Sequence, residues 1–156
     1  MHIGVISDTH RDKSSIQQLG SKIGELDMLV HLGDNVEDIA IIKRYYNGLI
    51  VNVRGNCDFL KGAPNDRVEE ICGKRVFLTH GHRYDVKDNL LKLRYKALEV
   101  GASIVLYGHT HIGKIDFEGG IWYINPGSVA QPRDVGRSFA IINIHEESIE
   151  PSLIRF

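Results

Sequence analysis

Short apolar runs in this chain keep ending on the same kinds of residue. "IGVIS" leads into Asp8 and His10, "MLVHL" into Gly33 and Asp34, and "LIVNV" into Arg54, Gly55 and Asn56. "RVFLT" leads into His80, Gly81 and His82, and "SIVLY" into Gly108, His109 and His111. Five-residue runs without polar alternation are of strand length and fit strands covered on both faces. The first three are separated by helical patterns, residues 14–26 with Ile16, Leu19 and Ile23 on one face, then residues 36–46. Strands that alternate with helices need crossover connections, hence a largely parallel sheet. Ligands of such sheets gather outside the carboxyl ends of the strands. The repeated polar ending therefore predicts one site fed by five strand ends.

The second half changes character. "RVEEI" and "RVFLTH" flank Cys72, Gly73 and Lys74 as a hairpin or adjacent strands. Residues 87–100 read as an amphipathic helix, with Leu90, Leu91, Tyr95 and Leu98 expected on its core side. "KIDFEGGIWYIN" reads as a hairpin turning at Gly119–Gly120, and "SFAIINIHEESIEPSLIRF" as a closing hairpin. No internal repeat or linker divides the 156 residues, so the expectation is a single α/β domain, 1–156, with antiparallel strands added in its second half.

Carboxylate and amide oxygens with neutral imidazole nitrogens are ligands for borderline-hard divalent ions. In extended backbone, residues i and i+2 project to one side, so Asp8 with His10, and His109 with His111, would each present a pair. Glycines at 33, 55, 81 and 108 would permit sharp exits and close backbone approach. Seven such ligands are too many for one ion. They suit two ions sharing a carboxylate, the arrangement that clamps attacking and leaving oxygens at phosphorus.

The ordered set "SDTH", "HLGDN", "RGNCD", "THGH", "GHTH" and "NPGS" resembles the calcineurin-like metallophosphoesterases, most of all the small YfcE-type phosphodiesterases. The resemblance implies a four-layer αββα sandwich of two mixed sheets flanked by helices. It implies two divalent metal ions, Mn²⁺ by preference with Ni²⁺, Fe²⁺, Co²⁺ or Zn²⁺ as alternatives. Asp8, His10, Asp34 and His111 would hold the first, and Asp34, Asn56, His80 and His109 the second, with Asp34 as the bridge. A hydroxide bridging the ions would attack a small-molecule phosphodiester in line. Many family members carry His where this chain has Cys57, so the proton-donor role is not transferred there; a thiol of ordinary pKa about 8.5 is a poor acid at neutral pH. His82 stands as a proton donor or substrate contact. Cys57, Asn125, Gly127, Ser128 and Arg133 stand as substrate contacts.

The other polar residues carry plainer expectations. His31, inside a strand, reads as a partner of the ligands or a structural residue, and His2 and His145 have no site context. Asp12, Asn35 and Asp58 suit caps and turns, with Asp58 also able to orient site groups. Cys72 reads as a small buried residue, and Trp122 and Tyr123 as packing residues.

Nineteen Lys and Arg against 20 Asp and Glu leave a net charge of −1, which argues against extended nucleic-acid or membrane partners. Two cysteines make no disulfide framework, and "MHIGVISDTH" lacks the basic segment of a signal peptide, so a cytoplasmic location is expected. A homo-oligomer is left open. The competing functions are a Vps29-type retromer scaffold without catalysis, and a monoesterase or nuclease of the same superfamily.

Overall fold

The computed structural model describes residues 1–59 and 62–156. The first half supplies β1 (His2–Ile6), α1 (Lys13–Gly20), β2 (Met28–His31), α2 (Ile39–Ile42) and β3 (Leu49–Asn52). The hairpin β4 (Asp66–Ile71) and β5 (Lys74–Thr79) follows, then α3 (Leu91–Val100) and β6 (Ile104–Leu106). Two further hairpins close the chain, β7 (Gly113–Glu118) with β8 (Ile121–Pro126) and β9 (Ser138–Ile144) with β10 (Ile149–Arg155).

These strands form two five-stranded mixed sheets, ordered β10-β9-β1-β2-β3 and β4-β5-β6-β8-β7. The middle of each is parallel, with Val5 beside Val30 and Val30 beside Val51 in the first, and Leu78 beside Leu106 in the second. Antiparallel strands β9, β10, β4 and β7 complete the sheets. Ile3, Val5, Val30 and Val51 of one sheet meet Val76, Leu78, Ile104 and Ile124 of the other in a central core. On the far side of the first sheet, Ile6 and Leu29 pack on Ile16, Leu19 and Ile42. Phe77, Val105 and Tyr123 likewise pack on Leu93 and Ala97 of α3. The result is an αββα sandwich, and it explains the unbroken apolar runs: both faces of each central strand are covered.

The helices are shorter than the periodicity suggests. α1 stops at Gly20 rather than Leu26, because Gly20 and Gly24 are poor helix formers, although Ile23 still reaches the core. Residues 36–46 divide into a 3₁₀ turn at Val36–Asp38, α2, and further turns to Tyr46. Asp12 caps α1, accepting from the amides of Ser14 and Ser15.

Two expectations are corrected. The core side of α3 is Leu90, Leu93 and Ala97, whereas Leu91, Tyr95 and Leu98, spaced i, i+4, i+7, form an exposed stripe on the outer face. Periodicity marks two apolar faces on this helix and cannot say which one meets a sheet. Cys72 is exposed rather than buried, the first of two residues (φ 49°, then Gly73 at 71°) in a tight β4–β5 turn. Paired positive φ is the type I′ geometry that favours Asn-Gly. Cys72→Asn is therefore expected to stabilise the protein by about 0.5–1 kcal/mol, read as a higher midpoint in urea unfolding; an unchanged or lower midpoint refutes it.

No helix is long and apolar enough to cross a membrane among the described residues.

Candidate metal centre

The carboxyl ends of β1, β2 and β3 in one sheet, and of β5 and β6 in the other, open along the same edge of the sandwich. Asp8, Asp34, His80 and His109 each stand one to three residues past a strand end, and His10 and His111 two residues further along the first and last of these exits. Asp8 and His10 meet at 3.8 Å in one group of ligands, whereas His109 and His111 fall in different groups, and extended backbone places neither pair. All four adopt left-handed φ, at 57°, 44°, 69° and 62°, as does Asp34 at 58°. Such a conformation costs a non-glycine residue of order 1–2 kcal/mol. Among the described residues, five of the nine non-glycine residues with positive φ are candidate ligands, so the strain is concentrated where these side chains converge. Two glycines are fixed by close approach. A Cβ at Gly55 would lie 2.1 Å from Asp34 Oδ1, and one at Gly108 2.1 Å from Ser7 Oγ.

Tautomers follow from the backbone contacts. His80 Nδ1 lies 2.8 Å from the Leu32 carbonyl oxygen and His111 Nδ1 2.7 Å from that of Gln131, so both Nδ1 atoms carry the proton and donate. Each Nε2 is then a bare lone pair turned inward. His111 Nε2 faces Asp8 Oδ1 at 3.1 Å, and His10 Nε2 at 3.4 Å. His80 Nε2 faces Asp34 Oδ1 at 3.4 Å and His109 Nδ1 at 3.2 Å. Asp8 Oδ1, fully buried, accepts no well-formed hydrogen bond. Acceptors aimed at acceptors repel unless a cation lies among them.

Asp8, His10, Asp34 and His111 form one group whose ligand atoms lie within 4.8 Å of one another; Asp34, His80 and His109 form a second. Ligands on an ion with bonds of about 2.1 Å stand roughly 3–4.2 Å apart, and the contacts of 3.1, 3.4 and 3.8 Å within these groups fall in that range. Asp34 belongs to both groups and turns Oδ2 toward His10 (3.8 Å) and Oδ1 toward His80. Burial alone would raise the Asp8 carboxyl; its contact with His111, and the positive charge that His80 and His111 carry when protonated, outweigh that and hold it at about 2. His109 is pushed down to about 4, first by burial, then by His80 and Lys87.

Asn56 lies on the turn between Gly55 and Cys57, which press on Asp34: the Cys57 amide donates to Asp34 Oδ1 at 2.9 Å. Its own side chain is exposed and donates to Cys57 Sγ. Burial, then Asp34, pushes the Cys57 thiol up to about 11, even further from service as an acid. His82 is half-buried, its ring 5.4 Å from His80 and 6.1 Å from His109, and burial lowers its pKa. Arg133 is exposed, and its amide donates to the His111 carbonyl.

The "NPGS" residues, expected as substrate contacts, make hydrogen bonds within the fold. Asn125, Gly127 and Ser128 are buried, and their polar groups are already engaged. The Asn125 amide donates to the Gly108 carbonyl and to Thr110 Oγ1, which pins the loop carrying His109 and His111. The Ser128 hydroxyl donates to the Asp8 carbonyl and accepts from the amides of Ala130 and Gln131. Gly127 donates its amide to Asn125 Oδ1. These residues position the loops that bear the ligands.

Four further side chains support the site. Asp58 accepts from the amides of Asp34, Asn35, Val36 and Gly55 at 2.7–2.9 Å, joining two loops of the site through one buried carboxylate. His31, lowered to about 4 by burial, accepts from the Gly33 amide at Nδ1 and so donates from Nε2 to Thr9 Oγ1. The Thr9 hydroxyl donates to Asp38, which also accepts from the Arg11 amide. Nothing local in the sequence announces the roles of Thr9 and Asp38. Asp58, directly after "GNC", takes up the orienting role that the sequence allows it.

Comparison with known proteins gives a consistent result. The family profile of the calcineurin-like phosphoesterase superfamily domain matches residues 1–147. YsnB of Bacillus subtilis, named a probable metallophosphoesterase, is 30% identical over 95% of this chain and 87% of its own length. The Escherichia coli phosphodiesterase YfcE is 36% identical over 54% of this chain and 46% of its own. Among solved structures, a conserved uncharacterized protein of Streptococcus pneumoniae TIGR4 superposes with a TM-score of 0.83 at 33% identity, covering 99% of this chain and 88% of that one. Vps29 of Entamoeba histolytica, solved with zinc, superposes with a TM-score of 0.79 at 20% identity over 99% of both chains, a likeness of fold alone.

Proposed function

This chain belongs to the calcineurin-like phosphoesterase superfamily, and from that membership we propose that it is a dinuclear metal-dependent phosphodiesterase acting on a small-molecule phosphate ester. One observation supports the reading: the Nε2 lone pairs of His80 and His111, turned inward by carbonyl oxygens at their Nδ1 atoms, face two buried carboxylates at 3.1–3.4 Å. Asp8, His10, Asp34 and His111 would hold one ion, and Asp34, His80, His109 and Asn56 the other, with Mn²⁺ the first choice for such oxygen and nitrogen donors. Bound there, two divalent ions supply Lewis acidity toward phosphoryl oxygens and a water acidic enough to be a nucleophile near neutral pH.

The chain's own residues orient and constrain. Leu32 and Gln131 fix two imidazole rings through their carbonyl oxygens. His109 donates its amide to Asp8 Oδ2, locking together two loops that come from different sheets. His82 flanks the second group of ligands and is placed to hydrogen-bond an ester oxygen at the rim. Cys57 does not protonate the leaving group on this reading, so esters with acidic leaving groups turn over fastest. A cytoplasmic location accords with two free cysteines. The scaffold alternative has fold likeness alone behind it, and hydrolytic turnover separates the two readings.

The test combines metal removal with a substrate panel. Chelator-treated protein, verified metal-free, is expected to be inactive toward bis(4-nitrophenyl) phosphate and to recover with Mn²⁺. Across aryl and alkyl diesters, kcat/KM is expected to fall as leaving-group pKa rises, and monoesters to lag behind diesters. Full activity without metal ends the reading, and a preference for monoesters replaces the diesterase assignment.

A further inference from the structure

Beside the ligand cluster lies a cavity of about 420 Å³, within the range of roughly 300–1,000 Å³ typical of small-molecule pockets. One wall comes from the segment that carries His109 and His111, through Tyr107, Thr110 and Ile112. Val86 and Leu90 face them, and Val86 also packs against Gly81, the neighbour of His80 and His82. The cavity thus opens along the ligand-bearing loops of the second sheet.

Its chemistry is uneven. The walls are largely apolar, yet Lys87, Lys114 and Arg133 line the space, and no carboxylate does so among the described residues. Lys114 is paired with Asp116 at 2.7 Å. Lys87 and Arg133 have no ion-pair partner among the described residues, and they line the recess together with Thr110, which stands between His109 and His111 in the chain. Solitary surface cations are ordinary. Two that line one largely apolar recess beside the ligand-bearing loop point to a common anion.

We propose that this cavity receives one arm of the phosphodiester, and that the arm it selects is a largely apolar group bearing a second negative charge, carboxylate or phosphate. The proposal rests on the phosphodiesterase reading above. With the reacting phosphoryl group at the ligand cluster, the arm lies between Val86, Leu90 and Tyr107, and its anionic end meets Lys87 and Arg133.

Three 4-nitrophenyl phosphodiesters test this, identical in leaving group and differing in the other arm: phenyl, 4-carboxyphenyl and 4-phosphonophenyl. With Mn²⁺-loaded enzyme, at least one charged arm is expected to raise kcat/KM about tenfold over phenyl, mainly through KM. Whichever is favoured identifies carboxylate or phosphate as the preferred end. General attraction to a cationic centre would also favour charge, so the Lys87→Gln/Arg133→Gln double variant decides: the ratio should fall to near one. Because both rates come from one preparation, that ratio is independent of the active fraction. No preference in the wild type, or an undiminished one in the double variant, overturns the proposal. Should none of the esters be cleaved, the phosphodiesterase reading fails by itself, and calorimetric binding of the same esters still judges the cavity. Tighter binding of a charged ester, lost in the double variant, upholds it; equal binding ends it.

Discussion

Asp34→Asn is expected to lower kcat/KM by about three orders of magnitude, or roughly 4 kcal/mol, and to reduce bound metal from two ions toward one. The substitution is nearly isosteric, so its effect isolates charge and lone pairs. Asp34 Oδ1 accepts the Cys57 amide at 2.9 Å and faces His80, whereas Oδ2 faces His10 at 3.8 Å. An asparagine can keep its oxygen on the Cys57 side, leaving an NH₂ group toward His10. That removes an anionic ligand from the group formed with Asp8, His10 and His111 while sparing the other. Removing one of two clustered carboxylates also relieves repulsion, so the metal-free variant should unfold no earlier than the wild type. The checks are metal content by mass spectrometry, hydrolysis of bis(4-nitrophenyl) phosphate, and thermal unfolding without metal. Two ions retained with near wild-type turnover would show that Asp34 is not shared.

Much of this was legible in the sequence because strand ends and residue types obey local rules. The runs at Ile3, Met28 and Leu49 are strands, and the polar residues after them converge, because parallel strands joined by crossovers open on one side. The resemblance carried by "SDTH", "GDN" and "GHTH" fits a family profile that spans nearly the whole chain. What stayed hidden depends on distant neighbours. The outer face of α3 looks as apolar as its inner one, so Leu91, Tyr95 and Leu98 were placed inside when they lie outside. Asn125 and Ser128 look like substrate contacts because they are polar and close to the site. Only the fold shows that their hydrogen bonds are already made to Gly108, Thr110 and Asp8. Left-handed backbone at Asp8, His10, His109 and His111 is likewise not a property that residue type announces. The surrounding hydrogen bonds impose it, and it follows that this region is stabilised by its supports rather than by its own conformational preference.

Asp58 is the most consequential of those supports. Its Oδ2 accepts from Gly55 and Asp34 at 2.7 and 2.9 Å, and its Oδ1 from Asn35 and Val36, both at 2.8 Å. Three of these amides are buried, so Asp58→Ala strands donors that solvent cannot easily reach. The expected cost is about 3–5 kcal/mol, seen as a midpoint lower by roughly 10 °C in thermal unfolding. Asp58→Asn should cost nearly as much despite its shape, because its NH₂ group would face two backbone N–H groups, donor against donor. A purely steric role would spare the asparagine variant, so the pair of substitutions separates hydrogen bonding from packing. Catalysis follows by way of the metal. Asp34 and Asn35 lose the anchor of their left-handed turn, and Asn56 loses that of its own, so the Mn²⁺ concentration for half-maximal activity should rise about 10–100-fold. Excess Mn²⁺ at a temperature where the variant remains folded should restore part of kcat, since Asp58 touches neither ion nor substrate on this account. Wild-type metal dependence in a folded Asp58→Ala protein would show that the two loops hold their geometry without it.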